Sequence, residues 1–147
     1  MKIYLDTCSL QRPLDDRSQL RIQLEAEAIL AILALWEKST IDLVSSEVLE
    51  FELDQNPHPQ RKAYVAEILE RCALFVELDD QITQRGQTLE RLGFKGMDAL
   101  HIAVAEAEQA DYFCSCDDRL LKKSRTLKAT ITVRIVTPLE LVEEITE

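Results

Sequence analysis

Residues 1–10 read MKIYLDTCSL: an apolar run, KIYL, ending on one carboxylate, Asp6, followed by Thr7, Cys8 and Ser9. Consecutive apolar positions without polar alternation mark a strand covered on both faces, as in the middle of a parallel sheet. An ionised carboxylate at the inner end of such a strand requires a partner, because burial of an unpaired charge is costly. The reading of the whole chain turns on what that partner is.

The same signature recurs downstream. IDLV (41–44) and YFCSC (112–116) read as further parallel strands, and ALFVEL (73–78) and TVRIV (132–136) as two more. Stretches rich in Ala, Leu, Glu and Gln separate them, and helices are expected over 18–37, 47–54, 60–71, 80–92 and 97–109. A final helix announces itself at Thr137-Pro138-Leu139-Glu140, with an N-cap Thr, Pro at the first helical position and Glu placed for a capping box. NPHP (56–59) is a turn, and Gly93 and Gly96 flank a loop. No repeat, linker or low-complexity tract interrupts the pattern. Strands alternating with helices imply right-handed crossovers and one α/β domain over 1–147, with a central parallel sheet between two helical layers. Sheets of that kind take ligands at the carboxyl ends of their strands.

The chain's 147 residues, 46% of them hydrophobic, suffice for one core of ordinary size. With 27 acidic and 17 basic residues the formal net charge is −10, so the protein as a whole repels nucleic acid and anionic membrane, and a polyanion needs a local basic patch or a bound cation. There is no apolar run of signal-peptide or membrane-spanning length, so a cytoplasmic location without membrane association is expected. Cys8, Cys72, Cys114 and Cys116 lack the C-x-x-C spacing of redox or zinc sites and are expected to be reduced, mostly buried thiols.

Given that topology, certain acids are informative. Asp6 ends the first strand, Glu47 and Glu50 fall in the first turns after IDLVSS, Asp98 lies at the start of GMDALHIA, and Asp117 and Asp118 end YFCSC. All can converge on one sheet edge. Carboxylates in one cleft raise each other's pKa, and a divalent cation removes the conflict. Oxygen-only donors favour Mg2+ or Mn2+ over zinc, and such an ion supports metal-assisted phosphodiester hydrolysis. Each acid also has a plainer use: Asp98 as an N-cap, Glu47 and Glu50 as complements to a helix dipole, Asp117 as the cap of whatever follows its strand.

YLDTCS, SSEVLEFEL, GMDALHIAVA and YFCSCDDRLLKK together resemble, in order and spacing, the four acidic motifs of PIN-domain nucleases, over residues 3 to about 139. The resemblance implies a three-layer α/β/α domain whose acids hold Mg2+ or Mn2+ and hydrolyse RNA. Many family members are VapC-type toxins restrained by a protein antitoxin. It makes Asp6, Glu50, Asp98 and Asp117 the catalytic acids and Asp6, Asp98 and Asp117 the metal ligands. Glu47 and Glu52 compete with Glu50, which follows an apolar pair one turn into its helix. Thr7 and Ser115 become hydroxyls that orient carboxylates or water, and Asp118 is placed to share Asp117's role through water. The stretch LQRPLDDRSQLRIQLEAEA departs from the commonest toxin sequences.

RNA approaching a net-negative protein needs local positive charge. Arg119, Lys122 and Lys123, with Arg125 and Lys128, follow the fourth acid, and Arg12 and Arg17 follow the first; the alternative for the lysine run is an ordinary solvated surface. His101 shares a helix face with Asp98 and is expected to be hydrogen-bonded beneath the site. Trp36 and the Ile, Leu and Ala positions of 28–36 suit the core or a homodimer face. A haloacid-dehalogenase-like phosphatase would need Asp where Cys8 stands, and no glycine-rich loop follows any strand. The remaining rival is a catalytically silent PIN-like module that binds protein or RNA.

Overall fold

A five-stranded, wholly parallel sheet in the order β3-β2-β1-β4-β5 forms the centre of the protein. The computed structural model describes residues 1–146. The strands are β1 (Lys2–Leu5), β2 (Asp42–Ser46), β3 (Leu74–Val76), β4 (Tyr112–Cys114) and β5 (Arg134–Val136). The helices, in chain order, are α1 (Thr7–Gln11), α2 (Leu20–Glu37), α3 (Glu47–Asp54), α4 (Pro59–Arg71), α5 (Asp80–Arg91), α6 (Gly96–Ala107), α7 (Asp118–Thr126) and α8 (Pro138–Ile145). Short 3-10 turns follow α1 at Arg12–Leu14 and α7 at Lys128–Thr130. This is the expected three-layer α/β/α arrangement. Among the described residues no helix is long and apolar enough to cross a membrane.

The chain moves outward from β1 through β2 to β3, then returns across the sheet to lay β4 on the other side of β1. The topological switch point therefore falls between β1 and β4, where the two chains diverge and leave a crevice beyond their carboxyl ends. Leu5 is the register partner of Cys114, and the pairing continues as Asp6 N–H donates to the Cys114 carbonyl at 3.2 Å. Asp6 is thus delivered to the crevice by a strand whose Ile3 and Tyr4 are wholly buried. Tyr4 stacks on Phe113 of β4, centroids 5.4 Å apart and planes 11° from parallel. These rings and Ala99, Ile102 and Ala103 of α6 join one continuous core.

The capping box at Thr137 is present: Glu140 N–H donates to Thr137 Oγ1 at 3.1 Å, and Thr137 N–H to Glu140 Oε1 at 2.9 Å. Two helices exceed the expectations from sequence. α1 has five residues, too few to show a period, and α7, DRLLKKSRT, carries only Leu120 and Leu121 as large apolar residues. Both follow directly from an acidic cap. The strand expected over 112–116 stops at Cys114, because Asp117 turns the chain into α7.

Candidate active site

Asp6 and Asp117 are the N-caps of the two helices that start at the switch point. Asp6 Oδ1 accepts from Ser9 N–H at 3.1 Å and from the Cys8 thiol at 3.1 Å. Asp117 Oδ1 accepts from Arg119 N–H at 2.8 Å and Leu120 N–H at 3.2 Å. One oxygen of each carboxylate is thereby fixed by backbone or thiol donors. Ser115 Oγ accepts from Asp117 N–H at 3.0 Å, so the expected orienting hydroxyl acts on the backbone of the acid rather than on its carboxylate.

Asp98 is not a cap. It occupies the first turn of α6, one turn before the buried Ile102, and is half-buried. Its carboxyl is pushed up to about 6, by burial first and then by the negative charges of Asp117, Asp6 and, more weakly, Glu52, against an opposing effect of His101. Acids that lie far apart in sequence thus act on one group, and a cation among them would relieve the repulsion.

Sequence reasoning favoured the wrong neighbour in SSEVLEFEL. Val48 and Leu49 are the buried positions of α3, and Glu52 lies one turn beyond both, on the same face; Glu50 lies opposite and is exposed. Glu52 lines the cleft with Asp98 and Asp117, whereas Glu47 accepts from Leu78 N–H at 2.7 Å and ties α3 to the segment after β3. The signal was present as i, i+3 and i, i+4 spacing from the apolar pair. Glu50 is therefore replaced by Glu52 as the α3 acid of the cleft.

Glu52 is held by a buried chain of hydrogen bonds. Ser46 Oγ accepts from Leu49 N–H at 3.1 Å and is 2.9 Å from Tyr4 Oη; Tyr4 Oη is 2.5 Å from His101 Nδ1, and His101 Nε2 meets Glu52 Oε1. Thr7 Oγ1 donates to the same Oε1 at 2.5 Å. His101 Nε2–H donates to the Glu52 carboxylate, while its Nδ1 meets the Tyr4 hydroxyl. Burial alone would raise the Glu52 pKa, but the hydrogen bond and charge of His101, with the Thr7 hydrogen bond, bring it below the usual value. Thr7 therefore orients Glu52, and His101 sits under the site as expected. Tyr4 was not singled out from sequence, where it reads only as strand core.

Positive charge lies beside the acids. A cavity of about 360 Å³ is lined by Asp98 together with Lys95, Arg119, Lys122 and Lys123. It adjoins a cleft of about 720 Å³ lined by Glu52, Asp98, Asp117 and Lys95. Two sequence assignments fail on charge pairing. Arg12 is bound to Asp15 at 2.8 Å and to Glu25 at 3.0 Å, a carboxylate only 3% exposed, so its guanidinium is an internal counter-ion rather than an RNA contact. Asp118 is exposed and pairs with Arg21 of α2 at 2.8 Å, lining a separate cavity with Glu25; it joins α7 to α2 and does not serve Asp117.

The donors suit Mg2+ or Mn2+ in kind: carboxylate oxygens, some held by caps and some left over, facing a cleft wide enough for water. Among the described residues no three His, Cys, Asp or Glu side chains are already gathered around one point fit for an ion.

Comparison with known proteins agrees with this geometry. The family model described as PIN domain matches residues 3–126. Among solved structures, the chain is similar to FitAcB from Neisseria gonorrhoeae, with 15% identity and TM-score 0.59, covering 93% of this chain and 98% of that one. It is similar to VapBC2 from Rickettsia felis, solved with a DNA fragment from its promoter, at 12% identity and TM-score 0.60, covering 93% and 98%. It is also similar to Mycobacterium tuberculosis VapC20, described as a sarcin-ricin loop cleaving toxin, at 15% identity and TM-score 0.57, covering 82% and 93%. No curated protein sequence matches the chain. At these identities the structures speak for the fold alone, while the family model runs from the strand that carries Asp6 through the helix that Asp117 caps: the chain belongs to the PIN domain family.

Proposed function

We propose that this protein is a metal-dependent endoribonuclease hydrolysing RNA phosphodiester bonds. The observation that carries the proposal is the convergence on Asp98 of Asp6, Asp117 and Glu52, beside a cavity lined by Lys95, Arg119, Lys122 and Lys123. Asp6, Asp98 and Asp117 would hold Mg2+ or Mn2+, which when bound polarises a phosphate and lowers the pKa of water. Glu52, fixed through Oε1 by His101 and Thr7, keeps Oε2 to accept a hydrogen bond from the attacking water and align it. Asp6 and Asp117, each fixed through Oδ1, hold their remaining oxygens in place without reorganisation. The basic side chains of the adjoining cavity bind the phosphates that flank the scissile bond, giving a net-negative protein a local track for a polyanion.

A regulatory protein partner belongs to the same proposal. Exposed apolar side chains on α2 and α3, Leu20, Leu24 and Phe51, offer surface for an antitoxin-like chain or a second copy. The deciding experiment is RNA cleavage by the purified protein with Mg2+ or Mn2+, compared with Asp6→Asn, Asp98→Asn and excess chelator. Loss of cleavage in all three is expected. Cleavage that persists in both variants or in chelator overturns the carboxylate–metal mechanism.

A further inference from the structure

The carboxyl ends of β1 and β4 also bring two cysteines together. Cys8 Sγ accepts from Cys116 N–H at 3.4 Å. Ser9 Oγ lies 3.8 Å from Cys116 Sγ and Ser115 Oγ 3.7 Å from Cys8 Sγ, so each thiol meets a hydroxyl from the other's segment. All four cysteines are free thiols. Leu5 and Cys114 are register partners on adjacent strands, so Cys8 and Cys116 follow the paired ends of β1 and β4 into the same crevice.

We propose that Cys8 and Cys116 form a redox-modification site, closing a disulfide under peroxide that switches off the acid cluster; the second half rests on the nuclease reading above. Cys8 is half-buried and Cys116 buried, so peroxide reaches Cys8 first, although its thiol, pushed far up by the neighbouring Cys116, by burial and by Asp6, is slow to ionise. The Cys8 sulfur attacks one peroxide oxygen, the O–O bond breaks, and a sulfenic acid and one water result. The Cys116 sulfur then displaces the sulfenic oxygen, which leaves as a second water with the two thiol protons accounted for. The two sulfurs are oxidised by one electron each and the peroxide is reduced by two.

The consequence for the site is direct. The Cys8 S–H that donates to Asp6 Oδ1 is lost, and the segments carrying Asp6 and Asp117 are tied to one another. Cys72 lies on the far side of α4 from this crevice in sequence, next to β3, and serves as an internal control thiol.

The test uses the full chain in a Cys72→Ser background, treated with hydrogen peroxide. Non-reducing peptide mapping by mass spectrometry, circular dichroism and RNA cleavage are followed, with and without dithiothreitol. The expected result is a Cys8–Cys116 linked peptide two hydrogens lighter, in a monomer that keeps its fold. Cleavage should fall about tenfold or more and return on reduction, since small displacements of catalytic groups have effects of that size. A linkage to Cys114, a sulfinic acid at Cys8, or no linkage in folded protein overturns the site. A linkage with unchanged cleavage overturns the switch. Because the mapping needs no activity, a protein that cleaves no RNA in any state would refute the nuclease reading and leave the disulfide to be judged by itself.

Discussion

Glu52 of α3 and His101 of α6 are hydrogen-bonded directly through Oε1 and Nε2, across 49 residues of sequence. This contact decides which glutamate of SSEVLEFEL faces the acids. Glu52→Gln is expected to lower RNA cleavage about 10²-fold or more, the size of effect associated with a positioned acid or base. Glu50→Gln, on the exposed side of the same helix, should stay within about twofold of the parent, as surface changes away from a site do. Equal losses in the two variants would reject the assignment.

The chain behind Glu52 is structural as well as catalytic in its reach. Tyr4→Phe removes the hydroxyl shared by Ser46 and His101 and leaves both without that buried partner. A loss of about 1–3 kcal/mol in unfolding free energy is expected, measured by urea titration. If Tyr4→Phe matches the parent in stability, the relay does not hold the site.

Asp98 sets a pH dependence in the metal-free protein. Its carboxyl ionises near 3.8 when the chain is unfolded but is pushed up to about 6 in the fold. Between those values the unfolded chain has released a proton that the native state retains, so stability should fall as pH rises from about 4 through 6 and then level off. Asp98→Asn removes this slope and should be more stable than the parent above pH 7, by roughly 1–2 kcal/mol after allowing for solvent screening of a half-exposed group. Thermal melts from pH 4 to 8 without metal check it; a less stable Asn variant at every pH would make Asp98 a structural residue.

The basic residues fall into two classes. Arg119→Ala and Lys122→Ala should weaken RNA binding and each reduce the salt slope of the binding constant by about 0.7, the value for one contact to a single strand. Arg12→Ala should leave that slope unchanged and cost roughly 2–4 kcal/mol of stability, because it strands Glu25 with only Arg21 for company. RNA titrations at several salt concentrations, with denaturation of each variant, discriminate the two. A slope change in Arg12→Ala would return it to the RNA surface.

The alternation of apolar strands with helical stretches determined the parallel sheet from sequence alone, because period and composition are local properties. So did the positions of Asp6, Asp98 and Asp117, since a parallel sheet of any strand order sends its carboxyl ends to one edge. Thr137, Pro138 and Glu140 specified their helix start for the same reason: a capping box closes within one turn. The helices α1 and α7 were not legible, because five residues show no period and α7 is mostly charged.

What only the tertiary structure decided is which charge meets which. Helical spacing from Val48 and Leu49 puts Glu52 on the inner face of α3, but its partners His101 and Thr7 come from other elements that only packing brings to it. Arg12 follows Asp6 closely in sequence yet turns to a carboxylate of α2, and Asp118 adjoins Asp117 yet pairs with Arg21. Charge pairing acts over a few ångströms of space and carries no periodic trace along the chain, so the partners of these side chains exist only once the strands and helices are packed.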